Sequence, residues 1–257
     1  MNNYALKCSA VIGGIVVATM ATMSHACDSS PFVCSESVLA QQEVYGKTYG
    51  EWGREWWKWA LSFPDGRNPV QDETGEFCKL GQAGRVWFLA GSFGVTGVER
   101  KCTIPAGKAI FYPLVNSFWI DEPGDEVVTD EEVRALLATT SGGDGACQLT
   151  STLDTFDTPN FGELPAPVTA LLQPVVRAQT PKFSIELPEG NLLGFPPGPN
   201  ERLIGEGYWV MLPPLKPGKH TLTLHGAACA ENEEGILEKT FETEVTYHLK
   251  VVPRKHR

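Results

Sequence analysis

The chain has 257 residues and a net charge of −10 at neutral pH, with 31 acidic against 21 basic side chains. At 42% hydrophobic and 20% charged it is too apolar for a disordered polyelectrolyte, and its acidity, with no long basic run, argues against nucleic acid as a partner. Such a length carries one large β domain or two small ones around a sizeable core.

The first 26 residues have the pattern of an export signal. Lys7 supplies the positive start, Ala10 to Ala21 is an apolar run broken only by Gly13, Gly14 and Thr19, and Ser24-His25-Ala26 is a small-x-small cleavage site. The run is short for a membrane span. Cleavage after Ala26 would remove Cys8 and leave Cys27, Cys34, Cys78, Cys102, Cys147 and Cys229, an even set that predicts disulfides in a secreted or periplasmic protein. Expected pairs are Cys27 with Cys34, Cys78 with Cys102 (they flank one apolar strand) and Cys147 with Cys229. A lipid anchor on Cys27 is the alternative and would make the membrane a partner, although Ser24 stands where lipid-attachment boxes carry Leu.

After a polar lead-in over 28–44, Thr48-Tyr49-Gly50-Glu51 reads as a capping box that opens a helix to about Leu61, stopped by Pro64-Asp65-Gly66. At about 100° per residue, Tyr49, Trp52, Trp56, Trp59, Ala60 and Phe63 share one face, and Glu51, Arg54, Glu55 and Lys58 the opposite one. From Arg85 the pattern turns to strands: Arg85 to Phe93, Arg100 to Ile104 and Lys108 to Ile120, with a turn at Pro105-Ala106-Gly107. Pro113 predicts an edge or a bulge. A second capping box, Thr129-Asp130-Glu131-Glu132, opens a short helix to about Ala138.

Residues 157–200 hold nine prolines and one predicted strand, Lys182 to Leu187. Gly207 to Leu212, Lys219 to Gly226 and Phe241 to Val252 are further strands. In the last, Phe241, Val245, Tyr247, Leu249 and Val251 alternate with polar residues, as a half-buried antiparallel strand requires. The basic end, Arg254-Lys255-His256-Arg257, reads as a solvated tail.

The segment Leu215-Lys216-Pro217-Gly218-Lys219-His220-Thr221-Leu222 resembles the corner of Ig-like sandwich domains, where Pro-Gly precedes a strand carrying a Tyr; His220 stands at that Tyr. Trp56-Trp57-Lys58-Trp59-Ala60-Leu61, Val86-Trp87-Phe88-Leu89-Ala90-Gly91 and Gly207-Tyr208-Trp209-Val210-Met211-Leu212 resemble a family of exported bacterial proteins of unknown function. The resemblance runs over most of the mature chain and implies a shared fold and no known activity.

Several constellations could carry chemistry. Trp52, Trp56, Trp57 and Trp59 form a dense cluster able to stack on sugar rings or apolar ligands, and Trp57 sits at the edge of the apolar stripe, where exposure is expected. Glu51 and Glu55 beside Arg54 and Lys58 read as an ion-paired surface. Asp72-Glu73-Thr74-Gly75 lacks the second copy that aspartic-protease chemistry needs. Ala90-Gly91-Ser92-Phe93-Gly94 is a degenerate nucleophile elbow with no helix after it, and so reads as a Gly-rich turn. Of the histidines, His220 shares parity with Leu222 and Leu224 and points inward, while His225 and His248 point the other way. His225-x-x-x-Cys229 has metal-binding spacing, but an oxidising compartment assigns the cysteine to a disulfide. No cofactor or metal is expected.

The sequence thus predicts a mainly β protein, an antiparallel β-sandwich over 27–257 with a Pro-rich insertion at about 157–200, a packed N-terminal aromatic amphipathic helix and a second short helix. The expected function is an exported, non-catalytic binding or cell-surface protein that holds a carbohydrate or apolar small molecule, or an envelope component. Trp52, Trp56, Trp57, Glu51 and Arg54 are the proposed contacts. The alternatives are an extracytoplasmic hydrolase that uses carboxylate and His, and a structural envelope protein.

Overall fold

Two sheets divide the strands between them in the computed structural model, which describes residues 36–121, 128–140, 142–155 and 175–253. The leader, Cys27, Cys34, residues 157–174 of the Pro-rich stretch and the basic tail lie outside the described residues. In chain order the elements are α1 (Glu36–Gln41), α2 (Tyr49–Ala60), β1 (Val86–Phe88), β2 (Val98–Pro105), β3 (Ala109–Ile120), α3 (Asp130–Ala138), β4 (Ala146–Thr155), β5 (Val176–Gln179), β6 (Phe183–Leu187), β7 (Gly198–Leu212), β8 (Gly218–Glu231) and β9 (Leu237–Val252). One sheet runs β1-β3-β7-β5, with β6 also paired to β7, and the other runs β2-β9-β8-β4. The result is mainly β and sandwich-like. Not every pair is antiparallel: β1 lies parallel to β3, and β2 parallel to β9. The turn at Pro105-Ala106-Gly107 therefore carries the chain from one sheet to the other and closes no hairpin.

The first sheet is buried on both faces, which explains the near-continuous apolar run in β3. Ile110, Tyr112, Leu114, Val210 and Leu212 pack against Val98, Leu222, Leu224, Val245, Tyr247 and Leu249 of the second sheet. Phe111, Trp209, Met211 and Val86 pack on the other side against α2. The bulge predicted at Pro113 is present, and it reverses which residues face which layer. Before it, Ala109 and Phe111 face the helix; after it, Phe118 and Ile120 do. The opposite side of this distal half is covered by α3, where Val133 and Leu137 meet Trp119 and Ile204.

α2 begins at the predicted capping box: the Thr48 hydroxyl accepts from the Glu51 N–H at 3.3 Å, and the Glu51 carboxylate accepts from the Thr48 N–H at 2.9 Å. Its buried face is rotated from the predicted stripe, because Gly50 and Gly53 let one flank come close to the sheet. A methyl group at Gly50 would collide with the Gln179 carbonyl, and one at Gly53 would lie 2.9 Å from the Trp209 ring. Gly53→Ala should therefore lower the unfolding midpoint, although alanine is favoured by about 1 kcal/mol in a helix interior. Overpacking of about 1–3 kcal/mol outweighs that gain. A thermal melt checks it, and a raised midpoint would disprove the close approach.

Two of the expected disulfides form, among the 15 connectivities that six cysteines leave open. Cys78 with Cys102 ties the 75–82 segment to β2, and Cys147 with Cys229 joins β4 to β8. An oxidising, extracytoplasmic environment follows from them. No described helix is long and apolar enough to cross a membrane.

A second staple is made of hydrogen bonds from one buried cation. Arg100, on the inward face of β2, is 1% exposed. Its guanidinium donates to the carbonyls of Asp72, Ala90, Gly91 and Val70 and to the Tyr247 hydroxyl. None of these partners is a carboxylate. Asp72 folds its own loop: its side chain accepts from the N–H groups of Thr74, Gly75 and Phe77 at 2.7–2.9 Å. Desolvation raises the pKa of this carboxyl, but the three backbone donors outweigh it and hold the group below its ordinary value.

Candidate ligand-binding cavity

The aromatic side chains of α2 meet the bulged strand around a partly open space. Trp56 stands edge-on to Trp57 at 4.9 Å and to Trp209 at 5.7 Å, and Trp57 lies 4.6 Å from Phe118. Most of these indoles are fully engaged. Trp52 Nε1 donates to the Val44 carbonyl, Trp56 Nε1 to Leu89, Trp59 Nε1 to Leu80 and Trp209 Nε1 to Ala178, at 2.7–3.1 Å. Trp57 Nε1 is buried and has no acceptor.

Between these rings and the second sheet is a cavity of about 250 Å³. Trp56, Trp57 and Leu61 close it from α2, residues 113–118 of β3 form its floor, Gly91, Ser92 and Phe93 one wall, and Leu192, Phe241 and Thr243 the rest. The wall is tied down by the Arg100 staple, which holds the carbonyls of Val70 and Gly91, both lining residues. Ser92 locks the same wall to β9: its N–H donates to Thr243 Oγ1 at 3.0 Å, and its hydroxyl bonds Val95 and Thr243. That is the role of the serine in the degenerate elbow. Phe93, 62% exposed, stands at the mouth of the cavity. Among the described residues the lining contains no carboxylate, amine, guanidinium or imidazole. Its polar groups are hydroxyls, indoles and the amide of Asn116, whose Nδ2 is also buried without an acceptor.

The five residues expected to touch a ligand separate. Trp56 and Trp57 line the cavity. Glu51 caps its helix, and Arg54 is held by Glu55 at 2.9 and 3.1 Å. Trp52 lines a shallower hollow of about 400 Å³ on the far flank of the helix, with Lys47, Glu55 and Lys58. The expectation that Trp57 is exposed is corrected: only 6% of it is accessible, because the two glycines turn its flank of α2 into the sheet. A positional signal for this was present, since Gly50, Gly53 and Trp57 follow one another at helical spacing. Asn116 escaped notice because its orientation depends on the bulge.

The histidines are placed elsewhere. His220 is buried and its Nε2 bonds the Lys216 carbonyl at 2.9 Å, tying the turn before β8 to the strand. His225 bonds Glu242 at 2.9 Å, and the same carboxylate oxygen receives Lys239. His248 lies 3.4 Å from Glu99. None of these pairs lines the cavity. Among the described residues no group of three or more His, Cys, Asp and Glu is gathered for a metal, and Cys229 is in its disulfide.

A separate open cleft of about 510 Å³ lies between α1, α2 and α3, with Arg134, Arg177, Gln179 and Glu206 in its lining. Arg177 pairs there with Glu206 at 2.6 Å and with Asp144, Gln179 bonds the second Glu206 oxygen at 2.7 Å, and Arg134 donates to the neutral oxygens of the Gln179 side chain and the Thr180 backbone at 3.1 and 3.0 Å. No protein-family model, curated protein or solved structure matches this chain. The cavity geometry therefore carries the functional argument alone.

Proposed function

We propose that this is an exported, non-catalytic binding protein, secreted or periplasmic, which holds a small apolar molecule in the cavity behind Trp57. The observation that carries the reading is an apolar space of about 250 Å³ walled by tryptophan, phenylalanine and leucine and held open by a buried arginine and by the Ser92–Thr243 bond. A cavity of roughly 150 Å³ with such a lining already accepts benzene. Acid–base or nucleophilic work needs a titratable group at the reacting atom, and the described lining residues are hydroxyl, amide, aromatic and aliphatic. Carbohydrate suits it poorly, since a sugar buries many hydroxyls that this wall leaves without partners. The leader pattern and the oxidised cysteines support a site outside the cytoplasm.

Titration of the oxidised protein with toluene, followed by calorimetry, should show saturable binding with a negative heat-capacity change. Leu192→Trp, which fills the cavity from its loop side, should weaken that binding by at least about tenfold. A flat titration of the unmodified protein, or unchanged affinity in the variant, overturns the assignment.

A further inference from the structure

Resting on the binding reading above, we infer that the cavity selects a neutral, mostly apolar molecule that carries a hydrogen-bond-accepting oxygen, such as a ketone, ester or lactone, read by the N–H groups of Trp57 and Asn116. A buried N–H without an acceptor is costly, and native proteins leave few of them. Here two occur on side chains of one cavity: Trp57 Nε1 from α2 and Asn116 Nδ2 from the bulged strand. The other unpartnered buried side-chain nitrogens among the described residues, Trp87 Nε1 and His220 Nδ1, line none of this space. The contrast within the helix is specific, because Trp52, Trp56 and Trp59 each reach a backbone carbonyl.

Position adds to the argument. Trp57 Nε1 lies over Gly205 of β7, and a side chain at that residue would collide with it. Asn116 is paired with Gly207, two residues along the same face of the same strand. Both donor side chains are thus seated over glycines of one face of β7, where a side chain at either position would displace them. An oxygen brought by the ligand would satisfy both without a water being sealed in. The described lining residues also set the charge of the ligand, since none is a cation and a carboxylate would lose its hydration beside them without gaining a counter-ion. The rest of the wall, including Leu61, Leu192 and Phe241, rewards apolar surface.

The test uses three probes matched in size and shape: acetophenone, α-methylstyrene, which replaces the carbonyl oxygen by a methylene, and benzoate. Calorimetry on the oxidised full-length mature protein should give acetophenone at least about tenfold tighter than α-methylstyrene, with benzoate weakest. In Trp57→Phe combined with Asn116→Leu the carbonyl preference should fall below about twofold while α-methylstyrene binds as before. If both neutral probes bind the unmodified protein equally, or benzoate binds tightest, the oxygen-acceptor inference is wrong and the cavity assignment stands. If neither neutral probe binds, the cavity assignment itself fails and this inference with it. The comparison of probes on the unmodified protein decides the matter even where the double variant does not fold.

Discussion

Replacing Arg100 with methionine should cost the protein on the order of 4 kcal/mol of folding stability, read as a fall in denaturant midpoint without a change of slope. Methionine keeps much of the side-chain volume, so a cavity is not the main cause. The loss comes from what the guanidinium leaves behind. The carbonyls of Val70, Asp72 and Gly91 lose their donor in the interior, whereas Ala90 keeps the Tyr247 hydroxyl at 2.7 Å. Each orphaned carbonyl costs roughly 1–3 kcal/mol. Exchanging a whole buried ion pair for apolar residues can be neutral, because both charges leave together. Here the acceptors are backbone and stay. Lysine should rescue little, since one ammonium cannot span four loop carbonyls and a tyrosine. A loss below about 1 kcal/mol would mean that the loop finds other donors when Arg100 is absent. The same variant should weaken toluene binding, because Val70 and Gly91 belong to the cavity wall.

Reducing both disulfides should bring the protein close to unfolding at room temperature. The bridges close segments of 24 and 82 residues that do not overlap, so their constraints on the unfolded chain add. Loop-closure arguments give about 3 kcal/mol for the shorter and about 4.5 for the longer, together comparable to the whole stability of a typical domain. Calorimetric melts with and without a thiol reductant measure this, and an unchanged melt would show that the bridges add nothing. Order matters too. Cys147 is exposed, whereas Cys78 and Cys102 are buried, so mild reductant should open the Cys147–Cys229 bridge first. That intermediate should lose β4 pairing and keep the cavity.

Local chemistry made much of this legible from sequence. The two capping boxes, the alternation of β9 and the bulge at Pro113 depend on neighbours in the chain or on simple parity, and each is found where it was expected; the pairs Cys78–Cys102 and Cys147–Cys229 also form, the second expected only as the pair left over once the others were assigned. Strands β4 and β5 were not anticipated. β4 is a sheet edge with most of its described side chains half-buried or exposed, so it carries no apolar alternation; β5 has only four residues and follows a proline-rich stretch. Arg100 shares its inward parity with Val98, Cys102 and Ile104, yet a charged residue in that position reads as solvated until its carbonyl partners, drawn from distant loops, are known. The cavity was half legible: Trp56 and Trp57 were named, whereas Asn116, Leu192 and Phe241 are brought to it by the bulge and by long-range packing.

The pairing of β2 with β9 governs when the molecule can take shape. Ser92 and Thr243, bonded across the cavity wall, are 151 residues apart, and the parallel ladder beside them joins an early strand to the final one. Closure of such distant contacts is slow and must wait until β9 has been synthesised. Until then the second sheet lacks β9, the strand that stands between β2 and β8, and neither the sheet nor the cavity wall tied to it can close.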